Sequence, residues 1–292
     1  GYTGLINVIS SGVLHAEATE TKSSSSWLTS VSAVVPVAGK GVFNYGTLSG
    51  SGTLTLSNNA ASGNAVVYIF NDASSDSWFN GTVKFGASQE GIVQLDLAPH
   101  GAATTAWDGV VFDMTPTGQG TDGYGISTET APSRTILNVR GPVTIAGLEG
   151  GNASSTVTSE STDSSFVLIL GGKADQDYTY HGTFKGTFYN DAGVLHTSPA
   201  GLNITKTGAY TQTFSRAIEE DNALHNVRVE SGKLVFGASA HVNKVNVVGG
   251  TLEAKSDLHA LGSKHLELDA SGLPLYPDTD PEEVQVSGSG TL

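Results

Sequence analysis

A pair of carboxylates can cleave a glycosidic bond, one acting as acid and the other as base or nucleophile. The acidic groups that invite this role are Asp175 with Asp177, and Glu219, Glu220 and Asp221. On a repetitive β-protein the two carboxylates must sit on the outside of neighbouring repeats at the same phase. Neither group has such a partner, and both fall in expected turns or loops, where acidic residues collect because they stay solvated. Asp278, Asp280 and Glu282 alternate, so an extended segment would set all three on one side and could offer oxygens to calcium. No glycine follows at the place an EF-hand requires, and a solvated acidic loop is the simpler account. The eight histidines are His15, His100, His181, His196, His225, His241, His259 and His265. No two of them have the i, i+2 or i, i+4 spacing of a zinc site.

Gly118-Gln119-Gly120-Thr121-Asp122-Gly123 matches the dinucleotide fingerprint as text. That mechanism needs a helix opening behind the glycines to hold pyrophosphate, and Tyr124 to Pro132 has no helical periodicity. No Gly-x-Ser-x-Gly elbow marks a serine nucleophile. The expectation is therefore no catalytic, cofactor-binding or metal residue, and no cofactor. Trp27 and Tyr124 stand in loop-like segments and are the candidates for an exposed ligand contact, such as stacking on a sugar. His181 is expected to face solvent, and Trp78 and Tyr180 to cap the core.

The elements that would position these residues come from repeats. Asn226-Val227-Arg228-Val229-Glu230-Ser231-Gly232-Lys233-Leu234 overlays Lys244-Val245-Asn246-Val247-Val248-Gly249-Gly250-Thr251-Leu252 at a constant offset of 18 residues. A looser copy falls at Leu266-Glu267-Leu268 with Gly272-Leu273. Another runs from Val284 to Leu292, echoing Leu48-Ser49-Gly50-Ser51-Gly52-Thr53-Leu54. A second phrase, aromatic–x–Gly–x–apolar, recurs at Tyr2 to Ile6, Phe79 to Val83 and Tyr180 to Phe184; Tyr210 to Phe214 departs from it by placing Gln212 where glycine is expected. Each unit is a strand, a glycine turn and another strand, with Val227 and Val229 on one face and Arg228 on the other. One unit cannot bury its apolar face alone, whereas stacked units bury a continuous column and pair their backbones. An antiparallel sandwich also has short alternating strands, but its strands carry no repeat at constant offset.

This pattern predicts an all-β chain, a right-handed parallel β-helix or solenoid of about a dozen coils and on the order of 60 Å in length. Residues 1–292 form a single segment, with protruding loops near 22–26, 118–133, 154–165 and 273–283. The composition agrees. The chain has 37 glycines, 9 prolines and no cysteine, so turns are plentiful and no disulfide or thiolate site staples the fold. Hydrophobic residues make up 38% and charged residues 14%, enough to build a core. A formal net charge of −14 disfavours nucleic acid and anionic lipid as partners. The longest apolar runs, Ala65 to Phe70 and Phe166 to Leu170, fall far short of the roughly 20 residues of a spanning helix. Gly1 is not a natural start, so an export signal is expected upstream or already removed.

Gly201-Leu202-Asn203-Ile204-Thr205-Lys206-Thr207-Gly208-Ala209, followed by Val227 to Leu234, resembles the passenger-associated transport repeat of bacterial autotransporters. Val143 to Gly150, followed by Tyr180 to Phe184, is similar to a variant in large bacterial surface proteins. The resemblance is sharpest over 200–255. It implies a right-handed parallel β-helix displayed outside the cell or secreted, a fragment of a longer passenger anchored through a C-terminal barrel beyond this segment. It carries over no catalytic residue. The expected function is a non-enzymatic surface stalk that adheres to a host or neighbouring cell or self-associates. The alternatives are a carbohydrate-binding or glycan-degrading β-helix and a purely structural spacer.

Overall fold

The computed structural model describes residues 6–8, 13–18, 41–45, 48–58, 65–70, 78–87, 92–97, 107–118, 134–159, 166–172, 176–184, 187–189, 195–197, 202–219, 224–260, 264–266, 284–286 and 291. Among them every regular element is a strand. Valine, isoleucine, threonine and aromatic residues alternate with polar ones along these strands, which suits a pleated, half-buried surface better than a helix.

Apart from a separate antiparallel pair, Thr187–Tyr189 with Leu195–Thr197, most strands form parallel sheets. The first holds Val13–Ala18, Thr53–Asn58, Thr82–Ala87, Val111–Gly118 and Gly147–Glu149. The second holds Gly41–Tyr45, Ala65–Phe70, Ile92–Leu97, Arg134–Val139, Ser155–Ser159 and Thr183–Phe184. The third runs Val143–Ile145, Val167–Leu170, Asn203–Lys206, Leu224–Val229, Ala240–Val247, Leu258–Ala260 and Lys264–Leu266, with Val284–Val286 also pairing Ala240–Val247. A fourth, Tyr178–Tyr180, Thr211–Phe214, Lys233–Phe236 and Thr251–Ala254, is linked to the first by a bridge between Gly150 and Tyr180. Up to Thr183–Phe184, consecutive strands enter different sheets. Leu48–Gly50, Thr53–Asn58 and Ala65–Phe70 do so in turn, and Trp78–Phe79, Thr82–Ala87 and Ile92–Leu97 repeat the sequence beside them.

Inner side chains stack in columns. Leu54, Val83, Phe112 and Leu148 share one register position on four neighbouring strands, and all are buried. Val143, Leu168, Ile204, Val227 and Val245 form another. These columns belong to one contiguous core from Leu54 to Leu258. The 18-residue repeat is realised residue by residue: Val227 pairs with Val245, Val229 with Val247 and Leu234 with Leu252. Beyond it the direction of pairing changes. Lys264–Leu266 turns back antiparallel on Leu258–Ala260, so Leu266 does not continue the parallel series. The last copy does, placing Val284 on Val245 and Val286 on Val247, with Thr291 bridging Thr251.

The aromatic–x–Gly phrase has a steric cause. Tyr180 is fully buried, with its Oη 3.0 Å from Ser155 O and 3.1 Å from Thr183 O. A Cβ on Gly182 would lie 2.2 Å from that Oη, so the ring folds back over a position that must lack a side chain. Tyr180, Phe184, Phe214 and Phe236 then continue as a ring stack, with neighbouring centroids 4.8 to 6.4 Å apart. Tyr180 thus lies in the core as expected. The strand holding Trp78 is described, but its side chain is not.

Where the phrase has Gln212 instead of glycine, the amide has a structural task. Gln212 is fully buried, its Oε1 accepts from Leu148 N at 3.2 Å, and its Nε2 donates to Leu148 O at 2.8 Å. One side chain therefore serves both backbone groups of a residue two strands away, as a neighbouring peptide would.

One expected loop is corrected. The serine-rich stretch 154–165 contains the strand Ser155–Ser159, whose five residues are all buried. Two of its hydroxyls find partners inside the stack: Ser155 Oγ donates to Met114 O at 2.8 Å and Thr156 Oγ1 lies 3.3 Å from Thr183 Oγ1, while Val157 joins the core. Of the stretch 118–133, Gly118 closes a strand. Residues 119–133, 160–165, 22–26 and 273–283 lie outside the described residues.

Candidate functional site

The first sheet carries an outward row of charge. Along Val111–Gly118, Phe112 and Met114 are buried in the core, so Asp113 between them lies on the opposite face. Register sets Lys84 on one side of Asp113 and Glu149 on the other. Lys84 Nζ is 3.2 Å from Asp113 Oδ2, and Asp113 Oδ1 accepts from Thr115 N at 3.0 Å. Glu149 has its pKa raised above the ordinary carboxylate value, mainly by burial and next by the Asp113 charge, while Lys84 opposes the rise. A carboxyl biased toward its protonated form beside one held by a cation has the charge pattern of an acid paired with a base or nucleophile. These two acids were not among the sequence candidates, because only strand register brings Asp113 and Glu149 together.

A second unusual group is Lys206, from the Thr-Lys-Thr-Gly phrase. It occupies the inner column between Leu170 and Val229 and is fully buried. Its Nζ donates to Thr207 O and, at 3.0 Å, to Gly208 O, and it lies 3.8 Å from the centre of the Tyr210 ring. Carbonyl dipoles and the ring face together replace part of the lost hydration. They do not replace all of it: burial lowers the lysine pKa to about 8, with Asp177 pulling the other way. Its role is structural, tying the turn that follows its strand.

A test follows from linkage. The unfolded chain keeps this proton up to about 10.5 and the folded chain only to about 8. Between those values the unfolded state binds more protons, so stability rises with pH there. Denaturation between pH 8 and 10.5 is expected to show the unsubstituted protein gaining about 3 kcal/mol relative to Lys206→Met. Parallel stability curves for the two proteins would contradict it.

The expected ligand contacts Trp27 and Tyr124 lie outside the described residues, as do Asp175, Glu220, Asp221, Asp278, Asp280 and Glu282. Asp177 accepts from Thr211 N at 2.6 Å, a backbone cap between strands, and Glu219 is exposed. His181 is exposed, as expected, with Nδ1 2.6 Å from Ser215 Oγ. Trp107 and Tyr178 are buried: Trp107 packs on Phe112, and Tyr178 meets Tyr210 edge-on. Among the described residues no group of three or more His, Cys, Asp or Glu side chains is arranged to hold a metal ion. No family model, curated protein or solved structure matches the chain.

Proposed function

We propose that the chain is a segment of a non-enzymatic bacterial surface stalk of autotransporter type, a right-handed parallel β-helix of about a dozen coils, acting in adhesion or self-association. The observation that carries this reading is the in-register stacking of repeats, Val227 on Val245 and Leu234 on Leu252, over one continuous core. Such a stack grows in one dimension and presents a long polar flank. That flank carries exposed pairs such as Arg228–Glu230 and Lys233–Glu253, which favour solubility more than stability. Small-angle scattering is expected to give a rod on the order of 60 Å long. Cells displaying the chain should settle faster than cells without it. A compact spherical particle and unchanged settling would overturn the proposal.

A glycan-cleaving reading has one observation in its favour, the register pair Asp113 and Glu149 with the raised Glu149 pKa. It requires release of reducing ends from a panel of acidic and mucin-type glycans, abolished by Glu149→Gln. Absence of release across the panel leaves the stalk reading alone.

A further inference from the structure

Two side chains just past the strand ends of the fourth sheet have no part in the stalk reading. Register sets Gly150, Tyr180, Phe214 and Phe236 side by side. The ladder runs one residue further: His181 N donates to Gly150 O at 2.7 Å, Ser215 N to Tyr180 O at 3.0 Å and Gly237 N to Phe214 O at 2.8 Å. His181 and Ser215 are therefore neighbours in space, although 34 residues separate them in the chain. Tyr180 and Phe214 are buried in the core, so the next residue on each strand faces outward. There Ser215 Oγ lies 2.6 Å from His181 Nδ1, with Tyr180 O at 3.3 Å as its other acceptor.

A serine hydroxyl within hydrogen-bond reach of an imidazole is the nucleophile and base of acyl transfer. The pair is open to an incoming group. His181 is exposed and Ser215 partly so. Beside Ser215 on the next strand stands Gly237, where a Cβ would lie 3.1 Å from Ser215 Cα. Glycine there keeps that flank of the serine clear. Arg216 is exposed and places a cation within one residue of the nucleophile, where an attacked carbonyl gains negative charge. We infer that Ser215 is an acyl-acceptor site, taking an acyl group from an activated ester with His181 as its base.

In this step Ser215 Oγ attacks the ester carbonyl while His181 Nδ1 takes the hydroxyl proton. The bond from Oγ to the acyl carbon forms, and the bond from that carbon to the leaving oxygen breaks. The imidazolium then gives its proton to the departing alkoxide, so the products are an O-acyl serine and an alcohol. Among the described residues no carboxylate bonds the other nitrogen of His181 to orient the ring. One acylation without rapid turnover is therefore expected, which makes Ser215 a covalent attachment point on the flank of the stack. No sequence elbow foretells the pair, because strand register alone assembles it.

Incubation of the full chain with 4-nitrophenyl acetate tests this, with acetylated peptides quantified by mass spectrometry. A burst of about one 4-nitrophenol per chain is expected, with the acetyl group on Ser215. His181→Phe should slow that acetylation by about a hundredfold, and Ser215→Ala should remove the burst. Circular dichroism checks that both variants fold. Ser51, an exposed serine at another strand end, gives the background rate. Acetylation of Ser215 no faster than that of Ser51 in the unsubstituted chain would overturn the proposal, whether or not the variants fold. So would a burst retained in folded Ser215→Ala, or an unchanged rate in folded His181→Phe.

Discussion

Replacing Asp96 with alanine is expected to cost about 3–5 kcal/mol of folding stability in urea denaturation. All six residues of Ile92–Leu97 are buried, although they alternate in type. Val93, Leu95 and Leu97 enter the core, while Gln94 and Asp96 lie on the other face and are covered as well. Asp96 Oδ1 accepts from Gln94 Nε2 at 2.5 Å and Asn138 Nδ2 at 3.1 Å, and Oδ2 is 3.1 Å from Arg140 NH1. One carboxylate thus serves two amide donors and a guanidinium drawn from two adjacent strands. Truncation removes the acceptor that two amides and a guanidinium share, and removing one partner of a buried ion pair is the costly way to break it. The double change Asp96→Leu with Arg140→Met removes both charges and should cost clearly less than Asp96→Ala alone. If the double variant is the less stable of the two, the explanation through the broken charge pair is wrong.

How far the sequence foretells this arrangement depends on whether neighbours in space share a constant offset. Between residues 226 and 252 they do, so the overlay of Val227 on Val245 anticipated the observed register. Elsewhere the chain returns to a sheet after segments of variable length, and no fixed offset links Asp113 to Glu149 or Asp96 to Asn138. The acidic pair was therefore invisible, while acids that are close in sequence, such as Asp175 and Asp177, attracted the catalytic expectation. Ser155–Ser159 was missed for another reason. Its hydroxyls look loop-like by composition, and only the fold supplies acceptors such as Met114 O. Period-2 alternation gives the face of a residue but not whether that face is covered, which is why Gln94 and Asp96 carry no sign of burial. Lys206 is similar: as text it belongs to a phrase, and its place in an aliphatic column follows only from register with Leu170 and Val229.

At the corner between the third and fourth sheets, substitution of Gly232 should be among the most damaging single changes. Gly232 has φ +67°, a conformation that costs an L-residue about 1–2 kcal/mol. Space adds to the cost. A Cβ there would lie 2.0 Å from Gly208 O and 2.8 Å from both Tyr210 O and Lys206 Nζ. Two of those contacts are backbone carbonyls of the preceding turn, so relief requires moving the turn that Lys206 ties. Gly232→Ala is expected to lose about 3–5 kcal/mol, and Gly232→Val more, because a β-branched residue tolerates positive φ least. Gly250, its counterpart one repeat on, provides the control. A Cβ there meets Val229 Cγ1 at 2.6 Å and Gly232 O at 2.8 Å, and its φ is not in the left-handed region. Gly250→Ala should therefore cost less than Gly232→Ala in the same urea denaturation series. Equal losses at the two positions would mean that crowding alone sets the cost and that the left-handed backbone at Gly232 contributes nothing. A loss below about 1 kcal/mol at Gly232 would mean that the turn shifts freely. In that case the tie from Lys206 to Gly208 O could not be holding it.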